Sequence, residues 1–183
     1  IWKRQFKKFY DHWQRNAAKH SVVGVDTDYW HRRMGFILSC CLYKHVKINN
    51  RSMNEMKDIL TLEDVKRLVD VFYEKVRAND MLAPVFNERI QNRWPEHLEK
   101  MYTFWQTVLL EERTYFGSPF PPHAQLPVSH IHFEQWMQLF TQTVDELFAG
   151  EIAKEAKWRA GKMAEMFEYK IEQFRKTGFK NLV

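Results

Sequence analysis

Beyond residue 61, apolar side chains recur every three or four positions, which is the spacing of one face of an α-helix. The pattern predicts four helices: one beginning at Thr61, one after Trp94-Pro95, one over about 131–148 and one over about 151–176. Alternation of apolar and polar residues, the pattern of a half-buried strand, does not occur in this part of the sequence. We therefore predict an all-α domain whose core is formed by the apolar faces of these helices.

Charge divides the chain into two parts. Residues 1–52 carry eleven Lys/Arg and three Asp/Glu, a net of +8, whereas residues 53–183 carry seventeen and twenty, a net of −3. We expect 1–52 to be a basic extension of unknown role outside the functional domain, either fused, truncated or translated from upstream, since Met53 or Met56 is a natural start. The functional domain is then 53–183.

The extension begins with a helical pattern over residues 1–18, basic on one side and aromatic on the other. Such a helix suits an anionic membrane or a nucleic acid. The alternatives are a helix laid across the domain or a segment without stable structure. Because nothing else in the chain suggests nucleic-acid chemistry, we predict no nucleic-acid partner.

The cysteines and the apolar runs bear on location. Cys40 and Cys41 are adjacent, and a disulfide between neighbours forces strained geometry, so no disulfide framework is implied. This favours a reducing, cytoplasmic compartment. The longest apolar run, Gly35–Tyr43, is far shorter than the ~20 residues of a membrane span, and we predict none.

His123 lies in a proline-dense break between two predicted helices, with prolines at 119, 121, 122 and 127. Proline stops helices and restricts the backbone, so it can hold a short segment in one pose. A lone histidine with an open opposite side in a large apolar pocket describes a five-coordinate haem better than a tetrahedral zinc site. The alternative is an ordinary packed histidine beside a plain aromatic core.

A series of short motifs in a fixed order resembles the third group of the truncated haemoglobins. Thirteen residues separate Tyr73 from Phe86, twenty-six separate His97 from His123, and the resemblance covers about residues 56–176. The motifs are Phe72-Tyr73-Glu74-Lys75-Val76, Pro84-Val85-Phe86, Trp94-Pro95-Glu96-His97, Phe104-Trp105, Tyr115-Phe116-Gly117-Ser118-Pro119, His123-Ala124-Gln125-Leu126-Pro127 and Phe133-Glu134-Gln135-Trp136.

The resemblance implies a truncated globin fold, a two-over-two helical sandwich around haem b. His123 is then the proximal ligand, binding iron through Nε2 while its Nδ1–H donates to a backbone carbonyl or water. Phe86 corresponds to the aromatic residue that contacts the haem edge. The Pro121-Pro122 pair departs from the family, in which more polar residues are expected, and we expect it to stiffen the loop.

On the distal side the resemblance places Tyr73, His97 and Trp136. The Tyr73 hydroxyl and the Trp136 indole N–H correspond to donors that stabilise a bound diatomic ligand and slow its release. His97 corresponds to a distal histidine that swings between the pocket and solvent.

Four further residues complete the expected site. Met101 and Phe104 are expected to form the rest of the distal wall. Lys100 and Arg113 are candidates for pairing with the haem propionates, the alternative for both being solvated surface charges.

The function that the resemblance implies is reversible binding of O2, and of NO or CO, at a five-coordinate iron in a monomeric protein. The first alternative is a haem enzyme that detoxifies NO or peroxide. Because the chain contains no flavin or nicotinamide module, such an enzyme would need a separate reductase. The second alternative is a haemless helical interaction module.

Overall fold

The computed structural model describes residues 56–177, and the predicted helix over 1–18 and the extension 1–52 lie outside them. The described region contains five helices and no strand. The helices are α1 (Leu62–Ala78), α2 (Ala83–Ile90), α3 (Trp94–Leu109), α4 (His130–Leu147) and α5 (Glu151–Thr177), with a 3₁₀ turn at Pro121–His123. The all-α prediction is confirmed for this region.

Helix α1 begins where the sequence predicts, because Thr61 and Asp64 form a capping box. The Thr61 hydroxyl accepts from the backbone N–H of Asp64, and the Asp64 carboxylate accepts from the backbone N–H of Thr61 at 3.1 Å. Two otherwise unpaired backbone donors are satisfied in this way. Asp64 is buried, and Lys57 pairs with its carboxylate at 2.5 Å.

Helix α2 is the element that the apolar pattern did not predict. It has eight residues, no side-chain N-cap and one buried side chain, Ile90. So short a helix offers barely two turns of periodicity, and Pro84 at its start is the main local signal.

The four longer helices form two layers. Helix α1 packs against α3, and α4 packs against α5, while contacts of α1 with α4 and of α3 with α5 join the two pairs. The core lies between them. Its most completely buried side chains include Val65, Leu68, Phe72, Phe140 and Val144.

The N-terminus of α5 is capped by a residue far away in sequence, Asp58. The Asp58 carboxylate accepts from the backbone N–H groups of Ile152 at 2.9 Å and Ala153 at 2.8 Å. Gly150 makes this approach possible, since it has a φ of 145° and a Cβ there would lie 2.3 Å from the Asp58 carboxyl carbon. The segment before α1 is thereby attached to α5.

The connection between α3 and α4, residues 110–129, is called here the α3–α4 loop. Its first part is bonded to α3: the Thr114 hydroxyl donates to the Thr103 carbonyl at 3.0 Å, and the Tyr115 N–H donates to the Thr107 hydroxyl at 2.9 Å. Its later part packs on α5 in a small apolar cluster. The buried members of this cluster are Phe120, Ala124, Val128, Phe167 and Ile171.

Among residues 56–177, no helix combines the length and the apolar character that crossing a membrane requires.

Candidate functional site

His123 closes the 3₁₀ turn of the α3–α4 loop and is half-buried. Its Nδ1 lies 2.7 Å from the Pro119 carbonyl oxygen, and its ring centroid lies 4.7 Å from that of Phe167 on α5. A carbonyl can only accept, so Nδ1 carries the proton and donates it. The lone pair is then on Nε2, the atom that the sequence analysis assigned to iron.

The surroundings of His123 favour its neutral form. Burial lowers the pKa of the imidazole and the positive charge of Arg89 lowers it further, while the bond to Pro119 acts in the opposite direction. The net result is a pKa below the ordinary value. A neutral imidazole is the form that binds a metal.

Tyr73 lies on α1 and is buried among aromatic rings. Its ring makes edge contacts with Phe86 and Trp94 at 6.0 Å and with His97 at 5.0 Å between centroids. Burial raises the pKa of the phenol, so the hydroxyl stays protonated and can donate a hydrogen bond.

His97, on the first turn of α3, has a buried Nε2 with no hydrogen-bond partner among the described residues. Burial lowers the pKa of His97 to about 4, with repulsion from His123 and Lys100 adding to the effect. His97 is therefore neutral near pH 7. The charge that His123 would carry when protonated contributes to this shift, so the two imidazoles lie within electrostatic range of each other.

Trp136, on α4, is half-buried and forms part of a stack of three rings. It lies parallel to Phe140 at 5.4 Å, and Phe140 stacks on Trp105 of α3 at 4.9 Å. Phe72 contacts Trp136 edge-on at 5.3 Å and Tyr73 at 5.0 Å. Phe72 thus links the two predicted distal donors.

The remaining predicted site residues divide by exposure. Phe104 is buried, Phe86 and Met101 are half-buried, and Lys100 is exposed on α3 near His97. Arg113 is exposed, and its guanidinium lies 5.3 Å from the ring centre of Phe116, itself 77% exposed. The contacts described here do not bring Arg113 together with the two histidines.

Two residues that contact this region, Trp94 and Phe167, were not predicted from the sequence to be part of the site. Trp94 contacts both Tyr73 and His97, and the Arg77 guanidinium lies 4.9 Å from its ring centre. The spacing of Trp94 and His97, three positions on one helix, is a signal that predicts a shared face. Phe167 carried no comparable signal, since its contact with His123 joins distant parts of the chain.

The order of these residues along five helices agrees with a known family. The family model for bacterial-like globins matches residues 58–171. The chain belongs to this globin family.

Comparison with individual globins narrows the assignment to the group 3 truncated haemoglobins. The chain is 31% identical over 121 residues to the group 3 truncated hemoglobin ctb of Campylobacter jejuni, covering 64% of this chain and 95% of that relative. It is also similar to the crystal structure of a group III truncated haemoglobin from Campylobacter jejuni. That match has a TM-score of 0.58 and 33% identity, and it covers 61% of this chain and 91% of the other.

The truncated globin fold predicted from the motifs is therefore confirmed. Membership of the family implies that this globin binds haem and a diatomic gas. All the predicted site residues, from Tyr73 to Trp136, fall within the matched residues 58–171. The last turns of α5, to Thr177, extend beyond them.

Proposed function

We propose that this truncated haemoglobin holds haem b with His123 as its proximal ligand and reversibly binds O2, and also NO and CO, in a distal pocket of Tyr73, His97 and Trp136. When bound, haem would supply an iron centre able to bind a diatomic ligand. The protein's part is to present His123, supply distal donors and exclude water.

The observation that carries the proposal is the orientation of the His123 ring, supported by an unpaired buried nitrogen on His97. His123 donates from Nδ1 to Pro119 at 2.7 Å, which orients the ring and leaves Nε2 for a metal. His97 has a buried Nε2 without a partner among the described residues. An unpaired buried polar atom carries a desolvation cost, and a group entering the pocket would offset it. These residues fit haem.

The distal side combines donors with apolar walls. Tyr73 is protonated near pH 7, as any phenol is, and burial raises its pKa further, so it can donate to a ligand that carries partial negative charge. His97, neutral at pH 7, adds an imidazole without adding a charge. The aromatic rings around them exclude water, which strengthens any hydrogen bond made inside.

The experiment that tests the proposal is the absorption spectrum of the purified protein, ferric and dithionite-reduced, with and without CO. We expect a Soret band that shifts on CO binding, and we expect His123→Ala to lose stoichiometric haem. Imidazole added to that variant should restore haem binding, because it replaces the missing ring.

A matched control is His132→Gln, which also removes an imidazole from the described region. His132 caps α4 with Ser129, and glutamine at this position of a capping box can make the same reciprocal bond. This variant should keep full haem content. Normal haem content in His123→Ala would overturn the proximal assignment. A wild-type protein without a Soret band, even after reconstitution with haem, would favour the haemless interaction module.

A further inference from the structure

The far end of α5 is bonded to the loop that carries His123. The Arg175 guanidinium donates from Nη2 to two loop carbonyls, those of Leu126 at 2.9 Å and Val128 at 2.7 Å. These carbonyls flank Pro127, which has no N–H of its own. A cationic donor to a carbonyl makes a stronger hydrogen bond than a neutral one. One side chain therefore satisfies two acceptors on either side of a stiff residue.

Arg175 belongs to a row of α5 side chains that contact the α3–α4 loop. Phe167, Ile171 and Arg175 are four residues apart, a spacing that places them on one face of a helix. The Phe167 ring packs against the His123 ring, and Ile171 belongs to the buried cluster that contains Phe120 and Ala124. The first two contacts are apolar and non-directional, whereas the contact of Arg175 is directional.

The loop is thus held on both sides of His123. Before it, the Phe120 side chain is buried, and the Phe120 carbonyl accepts from the His123 N–H at 2.8 Å. After it, the Leu126 N–H donates to the His123 carbonyl at 3.1 Å, and the Leu126 carbonyl accepts from Arg175. Residue 126 therefore links His123 to α5 through two consecutive hydrogen bonds.

We propose that Arg175 is a positioning residue for the proximal histidine. By fixing residues 126–128 to α5, Arg175 restricts the distance and tilt of the His123 imidazole relative to the Phe167 ring. It thereby sets the strain in the bond that His123 would make to a metal. The inference rests on the proposed role of His123. Arg175 lies beyond residue 171, where the family match ends, so the family match does not assign this role.

The test compares Arg175→Ala and Arg175→Lys with Lys176→Ala in the full chain. Lys176 is the adjacent cation and pairs loosely with Glu172 at 3.9 Å, so its loss matches the change in charge without touching the loop. Two quantities are measured on the haem-loaded proteins. They are the iron–histidine stretching band in the resonance Raman spectrum of the ferrous form and the rate of haem transfer to apomyoglobin. A third, amide hydrogen exchange at Leu126, is measured without haem.

We expect Arg175→Ala to shift or broaden the iron–histidine band and to speed haem loss and Leu126 exchange by about tenfold each. Arg175→Lys should recover most of all three effects, because an ammonium group can also donate to two carbonyls, and Lys176→Ala should behave as wild type. Arg175→Ala can fold poorly because it also removes the apolar stem of the side chain. In that case Arg175→Met, which keeps the apolar stem and removes every donor, takes the place of the alanine variant, and a band and exchange rate equal to wild type in the methionine variant would overturn the inference.

Lower thermal stability of Arg175→Ala with an unchanged iron–histidine band would reduce Arg175 to a structural contact and would also overturn it. Failure of the proposed function looks different. In that case the wild-type protein itself takes up no haem, whatever residue stands at 175.

Discussion

At the scale of single residues, Tyr73 has the most constrained surroundings in the site. Four rings surround it at centroid distances of 5.0 to 6.0 Å: Phe72, Phe86, Trp94 and His97. Edge contacts of this kind favour one ring orientation over others. The hydroxyl therefore has a defined direction before any ligand arrives, and a preorganised donor costs little free energy to align when a ligand binds.

The first prediction concerns this hydroxyl. Tyr73→Phe removes one oxygen and keeps the ring, so the packing should persist while the donor is lost. A buried hydrogen bond contributes about 1 kcal/mol, and more in a dry pocket, so we expect O2 to dissociate roughly five- to tenfold faster. Stopped-flow measurement of the dissociation rate of the ferrous O2 complex tests this.

The matched control for Tyr73→Phe is Tyr102→Phe. The Tyr102 hydroxyl bonds Asp70 between α3 and α1, so this variant loses a tyrosine hydroxyl and a hydrogen bond of its own away from the distal donors. Its dissociation rate should equal that of the wild type. Equal rates in both variants would remove Tyr73 from the set of distal donors.

At the scale of elements, local sequence predicted the long helices well and their mutual contacts poorly. The capping residues Thr61 and Asp64 predict the start of α1, and the proline after the first residue of α3 predicts the start of that helix. Both signals can be found in the sequence because caps and prolines act within a few positions. Helix α2 was missed because its eight residues are too few for a clear period. The contacts of α5 with the loop join residues 47 and 49 apart, and no local pattern reports which face of a helix meets a distant segment.

A second prediction concerns the cap of α5. Partial burial raises the pKa of Asp58, but backbone N–H donors, chiefly those of Ile152, Ile59 and Ala153, outweigh burial, and the net pKa is lowered. A carboxyl whose pKa is lower in the folded state stabilises the fold above the unfolded pKa of about 3.9. That contribution is lost as pH falls through the folded pKa. Asp58 should thus be one cause of acid unfolding below about pH 4.

Asp58→Asn keeps one acceptor oxygen but loses the charge and the second acceptor, so it should lower the free energy of unfolding at pH 7 by about 1 kcal/mol. The difference from wild type should shrink as pH falls from about 4 toward the folded pKa of Asp58, since the unfolded carboxyl then binds a proton that the folded one does not. Urea unfolding at pH 7 and at pH 3.5 measures the loss of stability at neutral pH and its decrease in acid. The exposed Asp80→Asn serves as the control, and a difference between wild type and Asp58→Asn that does not change with pH would contradict the charge argument.

At the scale of the whole molecule, the motif order identified the family and the candidate site together, while periodicity alone left the haem and plain-core interpretations open. The site residues His123, Tyr73 and Trp136 could be predicted because each lies in a short motif that is recognisable without knowledge of tertiary contacts. Their partners Phe167 and Arg175 depend on tertiary packing. The assignment of 1–52 as a separate extension, the cytoplasmic location and the monomeric state stay predictions.

A third prediction concerns the stability of the whole domain. A ligand that binds the folded state alone stabilises it by about 2.7 kcal/mol at one hundred times its dissociation constant. For a domain of this size that corresponds to a rise of about 10 °C in melting temperature. Thermal unfolding with and without haem measures it, His123→Ala should lose most of the rise, and equal melting temperatures for wild type with and without haem would contradict the prediction.

The cap of α5 also constrains the order in which the chain folds. Asp58 lies 94 and 95 residues before the two amides that it caps, so during synthesis its carboxylate is made long before they exist. Until these residues have been made, α5 cannot form, and the apolar side chains of the α3–α4 loop have no helix to pack against. Closing so long a span is costly in chain entropy, and it slows folding relative to a bundle of neighbouring helices. The elements before α5 therefore cannot complete their packing until Ile152 and Ala153 have been made.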